Sequence, residues 1–142
     1  MSGQRIVPFI GYEDAAAAIE WLEGAFGFRE KREERVEQDG TIAHAQLGLE
    51  GATIFLSTPA GYASPRTLRA ESDAARRSYD NRWVIDGHFV EVGDVDAHYQ
   101  RARAAGATIL SEPEEPGYGF RIYVAEDPEG HRWMFGQPTA GA

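Results

Sequence analysis

The chain has 142 residues, of which 42% are apolar and 26% charged, and it carries a formal net charge of −9. That length suits one domain or two small modules with a shared core. The acidic balance argues against nucleic acid or an anionic membrane as partner, because both require clustered Lys and Arg. The lack of cysteine excludes disulfides, thiolate metal sites and a Cys nucleophile. The first residues lack the apolar core of a signal peptide, and no apolar run reaches membrane-spanning length, so we expect a cytoplasmic protein.

The first half of the chain follows a β-α-β-β-β pattern. An apolar run at 5–12 predicts a strand, and Asp14 is a good N-cap for a helix that Gly27 ends. Asp39-Gly40 is a strong hairpin signal. Three further strands are predicted at 28–37, 41–47 and 52–57.

The second half repeats this pattern after a connection at 59–83. Mixed Gly, Pro, Ser and Arg mark the connection, in which a short helix is predicted at 72–78. Asp94 or Asp96 caps the second long helix, and Gly106 ends it. Four strands are predicted at 84–92, 108–111, 121–125 and 132–137.

The closing hairpins of the two halves correspond in sequence. Gly51 falls on Gly130 and Pro59 on Pro138, since 130 − 51 and 138 − 59 both give 79. A repeat of this kind indicates one supersecondary unit used twice. The predicted organisation is a module at 1–59, a connection at 60–83, a module at 84–138 and a tail at 139–142.

Two βαβββ modules, with GHFVEVGDVDAHYQRARAAGATI opening the second and DPEGHRWMFG closing it, resemble the vicinal oxygen chelate superfamily. That superfamily includes glyoxalases, extradiol dioxygenases, fosfomycin resistance enzymes and bleomycin resistance proteins. The stretches YEDAAAAIEWLEGAFGF and IAHAQL are most similar to its uncharacterised glyoxalase/bleomycin-resistance-like branch. The resemblance implies an α+β fold whose two modules curl into a cup-shaped sheet, often closed across a homodimer. Because the fold hosts many chemistries, it does not assign a function by itself.

The metal enzymes of that superfamily hold Fe, Zn, Ni or Mn through His or Glu at four equivalent strand positions. His88 matches one position, whereas the others fall on Val7 or Pro8, Phe55 and Met134. None of these four side chains is a ligand for a hard divalent ion. A catalytic metal needs about three protein ligands, so we expect no metal cofactor.

Strand alternation predicts which side chains line the cup, because successive residues point to opposite faces. If Met134 lines the cup, then Trp133 and Phe135 pack on a helix. Tyr123 corresponds to His44 in the repeat, so both are placed in the cup. Such a mixture of aromatic, apolar and a few polar groups is typical of small-molecule sites. The predicted ligand-binding set is His44, Phe55, Ser57, His88, Arg121, Tyr123, Arg132 and Met134.

Three functions are compatible with these residues. The first is a metal-free protein that binds an aromatic or cationic small molecule for sequestration or resistance. The second is an enzyme, either a lyase, isomerase or dioxygenase with atypical metal ligands or a metal-free acid–base catalyst. In the metal-free enzyme, His44 or His88 is the base, and Tyr123 or Arg121 stabilises an oxyanion. The third is a structural or regulatory dimer. The atypical ligands of the metal enzyme would be His88, His44 and a carboxylate such as Glu91. Glu91 lies three residues from His88, however, and would point to the opposite face of a regular strand, which counts against it.

Each candidate also has a purely structural interpretation. His44 can be a hydrogen-bonded histidine on a half-buried strand. Phe55 and Met134 can be packing residues that fill the space of a metal. Arg121 and Arg132 can be exposed or can form ion pairs with Glu126 or Glu129.

Overall fold

The computed structural model describes residues 4–81 and 86–140 of an α+β protein. The start of the strand predicted at 84–92 lies outside the described residues. The elements are β1 Phe9–Gly11, α1 Ala15–Phe26, β2 Arg29–Glu30, β3 Val36–Gln38, β4 Thr41–Leu49, β5 Ala52–Ser57, α2 Pro65–Glu71, α3 Asp73–Tyr79, β6 Gly87–Glu91, α4 Val95–Ala104, β7 Thr108–Glu114, β8 Phe120–Glu126 and β9 Arg132–Pro138.

Each half of the chain builds its own open sheet. Sheet 1 has the order β1-β5-β4-β2, with β3 also paired to β4, and sheet 2 has the order β6-β9-β8-β7. In each sheet the first strand of the module pairs in parallel with the last, and the other pairs are antiparallel. The structure thus has the predicted plan of two βαβββ modules.

The two long helices begin and end where the sequence predicts. At the start of α1, Asp14 accepts a hydrogen bond from the Ala17 amide (3.1 Å). At the start of α4, Asp94 accepts the equivalent bond from the Ala97 amide (3.0 Å). These side chains satisfy amides that the first helical turn leaves unpaired. Gly27 follows α1 with φ 82°, a left-handed conformation that glycine adopts without strain.

The two sheets share one core through the faces that carry the helices. The ring of Phe26, at the end of α1, lies 5.7 Å from that of Trp133 and 4.7 Å from that of Phe135. Phe28 packs on the same indole at 5.5 Å. Aromatic residues of the first module are therefore buried by the second. The other side of each sheet is turned away from this core, and we call these surfaces the open face of sheet 1 and the open face of sheet 2.

The strand predicted at 28–37 is broken into β2, a short 3-10 turn and β3. Arg35 donates to the carboxylate of Glu30 (2.7 and 2.8 Å), which folds the charged segment back on itself. The pairing of β3 with β4 shifts register beside this turn. Ile42 is consequently in the core together with Ala45, whereas strict alternation along β4 would place it on the same face as His44.

The connection between the modules holds two short helices, of which the sequence predicts α3 but not α2. Ser64 caps α2 and Ser72 caps α3. Glu13 anchors α2 to the end of β1, since its carboxylate accepts from the Ser64 amide (2.8 Å) and the Thr67 hydroxyl (2.5 Å). These hydrogen bonds hold the pKa of Glu13 down to about 2. The connection is therefore fixed to the body of the protein.

Candidate functional site

On the open face of sheet 1, aromatic rings surround His44. Its imidazole centroid lies 4.8 Å from the Phe55 ring and 6.3 Å from the Phe9 ring. Gln46 donates from Nε2 to Nε2 of His44 (3.1 Å). Ser57 lies on the same face, two residues beyond Phe55, and is buried. This face thus offers aromatic area together with one imidazole and one amide.

The open face of sheet 2 is more apolar. Phe89 lies opposite Met134 in the pairing of β6 with β9, and its ring meets Phe120 edge-on at 5.1 Å. Gly136 leaves room for that ring, because a Cβ at this position would lie 2.5 Å from Phe89 Cζ. Glu91 follows on the same face of β6 as an exposed carboxylate. Sequence reasoning missed Phe89, although its place in an alternating strand was a signal for it.

Arg121 and Tyr123 do not line the cup, and their prediction is wrong. Both lie on the core side of β8, where Tyr123 is fully buried opposite Phe135. Arg121 instead pairs with Asp96 of α4 (2.9 Å). This ion pair holds the pKa of the Asp96 carboxyl below its usual value.

The error comes from a one-residue difference between the two closing hairpins. Gln46 lies opposite Phe55 in sheet 1, and Val124 lies opposite Met134 in sheet 2. Equivalent residues of the two modules therefore differ in number by 79 in the last strands, β5 and β9 (134 − 55). They differ by only 78 in the strands before them, β4 and β8 (124 − 46). Because side chains alternate along a strand, a slip of one residue exchanges its two faces.

Tyr123 serves the core through a histidine that the sequence did not single out. Its hydroxyl donates to Nδ1 of His98 (2.6 Å), while Nε2 of His98 donates to the Phe26 carbonyl (2.7 Å). Burial raises the pKa of the Tyr123 phenol and lowers the pKa of the His98 imidazole. The pair links α4, β8 and the end of α1, and Tyr123 is not placed to stabilise an oxyanion in the cup.

His88 also lies on the core side of its strand, contrary to prediction. It is the partner of Trp133 in the parallel ladder, and the two ring centroids are 5.0 Å apart. Burial lowers the pKa of this imidazole. The residues of β6 that face outward beside Met134 are Gly87 and Phe89.

Arg132 lies at the end of the open face of sheet 2, but its guanidinium is already occupied. Its Nε donates to Glu126 (3.0 Å), and its other nitrogens donate to the carbonyls of Tyr79, the last residue of α3, and of Asn81. Arg69 of α2 pairs with the same carboxylate (3.0 Å). The structural interpretation of Arg132 therefore holds, and the connection closes this end of the face.

The donor set does not fit a divalent metal. Phe55 and Met134 face outward without oxygen or nitrogen ligands, and His88 faces the core. Among residues 4–81 and 86–140, no three His, Asp or Glu side chains come together as a metal would require. None of the helices in the same ranges is long and apolar enough to cross a bilayer.

Known proteins resemble the chain over nearly its whole length. Residues 5–135 match the family model of the Glyoxalase/Bleomycin resistance protein/Dioxygenase superfamily. An uncharacterised protein of Mycobacterium bovis is 35% identical over 133 residues, which are 93% of this chain and 82% of that protein. A protein of Mycobacterium tuberculosis has the same identity over 93% of this chain and 73% of its own length.

Solved structures share the fold. TioX from Micromonospora sp. ML1 superposes with a TM-score of 0.69 at 29% identity, covering 98% of this chain and 99% of TioX. TnmS3, described as an antibiotic binding protein from Streptomyces sp. CB03234, gives 0.64 at 17% identity over 98% of this chain and 100% of its own. The chain belongs to the glyoxalase/bleomycin resistance protein/dioxygenase superfamily.

Proposed function

We propose that the protein binds a small aromatic molecule, without a metal, in a cup closed by two copies of the chain. The open face of sheet 1 from one copy would meet the open face of sheet 2 from the other. One observation carries this proposal: each open face presents an exposed phenylalanine, Phe9 at 62% and Phe89 at 43% exposure. Large apolar side chains in such patches mark interaction sites when they are contiguous.

The chemistry of the two faces supports an aromatic ligand. Phe9 and Phe55 on one face, and Phe89 and Phe120 on the other, offer area for stacking. His44, held by Gln46, is a polar group that can orient the ligand. The fold also accommodates such a role, since TnmS3 is described as an antibiotic binding protein. A cytoplasmic site of action remains our expectation from the sequence.

The homodimer can be tested by analytical ultracentrifugation. We expect the wild-type chain to sediment as a dimer, and Phe89→Ser to shift it toward monomer. Leu68→Ser is the control, because Leu68 is similarly exposed (39%) but lies on α2. The proposal of a shared cup would be refuted if the wild-type chain sediments as a monomer. It would also be refuted if Phe89→Ser leaves the dimer unchanged.

Ligand binding can be tested by a thermal-shift screen of aromatic antibiotics and simpler arenes. A ligand that binds the native state raises Tm by mass action. We expect the rise in Tm caused by such a ligand to disappear in Phe55→Ala and to become smaller in His44→Ala. The rise should be unchanged in Leu68→Ser. Hits that survive both open-face variants would contradict the proposed site.

Metal dependence is tested on the same protein purified without chelator or added metal. We expect elemental analysis to find no stoichiometric Fe, Zn, Ni or Mn, and Tm to be unaffected by these ions. Metal near one equivalent that is lost in His44→Ala would overturn the metal-free assignment and favour the enzyme.

A further inference from the structure

One cleft of the protein lies outside the two open faces. It is a pocket of about 320 Å³ between α1, the turn of residues 127–130 and the start of α2. We call it the α1 pocket. Leu22 and Ala18 form part of its floor, and the Trp21 indole is a half-buried wall. An apolar pocket of this size holds a ligand of one ring with a short substituent.

Two carboxylates of this pocket are buried without a counter-ion. Asp127 and Glu129 are 4% and 7% exposed, and neither forms an ion pair with a described residue. Every donor to them is neutral: the Asp127 carboxylate accepts from Tyr12, Trp133 and two backbone amides, and Glu129 accepts from two backbone amides. Buried charges are costly unless they are compensated.

The two carboxylates also affect the neighbouring phenol of Tyr12. Burial raises the pKa of Tyr12 well above its ordinary value, and the charges of Asp127 and Glu129 raise it further. Asp14 adds a third carboxylate at the mouth of the pocket, whereas Arg66 is the one cationic side chain among its lining residues. The lining residues therefore carry three carboxylates against one guanidinium, a formal charge of −3 + 1 = −2.

We infer that the α1 pocket binds a small organic cation, an amine carried on an aromatic or apolar body. The indole of Trp21 can hold the cation and its ring by cation–π and stacking contacts. Asp14 and Glu129 have carboxylate oxygens with lone pairs left to accept from an ammonium group. The pocket belongs to a single chain and does not depend on the shared cup.

Benzylammonium is a suitable probe, with neutral benzyl alcohol and anionic benzoate as isosteric controls. In ¹H–¹⁵N NMR titrations we expect saturable shifts at the Trp21 indole and the Ala17 and Ala18 amides. Benzyl alcohol should bind about tenfold more weakly, and benzoate should not bind, because the charge supplies much of the affinity. Absence of saturable shifts, or equal binding of all three, overturns the inference.

Three variants of lining residues and one control variant separate a cation site from a non-specific apolar pocket. Asp14→Asn keeps a good N-cap but removes a charge, so affinity for benzylammonium should fall several-fold, whereas Glu112→Gln on β7 should leave it unchanged. Trp21→Leu should weaken binding about tenfold. Arg66→Gln should strengthen binding, because it removes a repelling charge. Weaker binding in Arg66→Gln, or shifts confined to the open faces, would overturn the assignment.

Discussion

The two modules follow one plan but close with different hairpins. In the first, the strands end at the paired residues Leu49 and Ala52, which leaves a turn of two residues. The turn residues Glu50 and Gly51 both have positive φ (47° and 89°). In the second, three residues separate Asp127 from His131, which are joined by a backbone hydrogen bond of 3.0 Å. The first is an exposed two-residue turn of the kind that suits hairpins.

The second turn connects the two modules. The Asp127 side chain joins its own loop to the Tyr12 hydroxyl (2.5 Å) and the Trp133 indole (3.1 Å). Glu129 accepts from the amides that precede α1. A sequence repeat thus identifies the two modules, but the strand register and the contacts of each closing turn have to be established separately.

The largest effect is expected when the second turn loses its carboxylate. Asp127→Ala would leave a phenol, an indole N–H and two amides without their acceptor. At ~1–3 kcal/mol per buried unpaired group, the loss of stability should be at least about 4 kcal/mol. Glu50→Ala in the exposed turn removes one acceptor, of the Gly93 amide, and should cost about 1 kcal/mol or less. Urea unfolding of both variants measures the contrast, and equal losses would refute it.

A smaller effect is expected from Tyr123, which occupies the place of Ala45 in the first module. Tyr123→Phe keeps the ring but leaves Nδ1 of His98 without its donor, at a cost of about 1–2 kcal/mol. Tyr118→Phe is the matched control, since Tyr118 is 65% exposed. No difference between the two variants in urea unfolding would mean that the Tyr123 hydroxyl is not structurally important.

The pH dependence of stability should distinguish the two helices. His98 of α4 corresponds to Ala18 of α1, and burial lowers its pKa in the folded state. The unfolded chain therefore takes up a proton at higher pH than the folded protein, so this group's stabilisation is full above about pH 6.5. The stabilisation is lost as the pH falls through the pKa that His98 has in the folded protein, which lies below that of the unfolded chain.

We expect His98→Gln to remove part of the decline in unfolding free energy that sets in as the pH falls below about 6.5. An unchanged pH profile for His98→Gln would show that His98 does not contribute to it.

The smallest effect is expected for the exposed pair of Arg121 with Asp96. Solvent and salt screen such pairs, so Arg121→Gln should alter stability least of these variants. A double-mutant cycle with Asp96→Asn should show a coupling that disappears in 1 M salt. Arg121→Gln should also leave ligand affinity unchanged. A loss of affinity would show that Arg121 does line the cup.

Local signals in the sequence were sufficient for most of the fold. Asp14, Gly27 and Asp94 fixed the ends of helices because capping depends on nearby residues. Alternation also placed Trp133 and Phe135 in the core, where they lie. The segment at 28–37 was misassigned because Arg35 and Glu30 pair through side chains, which strand periodicity does not record.

The site was harder to predict, because it depends on register and on contacts distant in sequence. His44 and Phe55 do lie together, since their strands are joined by a short turn. Tyr123 and Arg121 were misplaced by the extra residue in the second turn. The α1 pocket went unnoticed because it joins α1 to a loop more than a hundred residues away.

The shared aromatic core also has a consequence during synthesis. Phe26 is translated early, whereas Trp133 and Phe135, which bury it, come from the last strand. At typical elongation rates, roughly a hundred further residues require on the order of 5–20 s. During that interval the nascent first module lacks the partners that bury Phe26 and Phe28. We therefore expect chaperone contact with the ribosome-bound chain until β9 emerges.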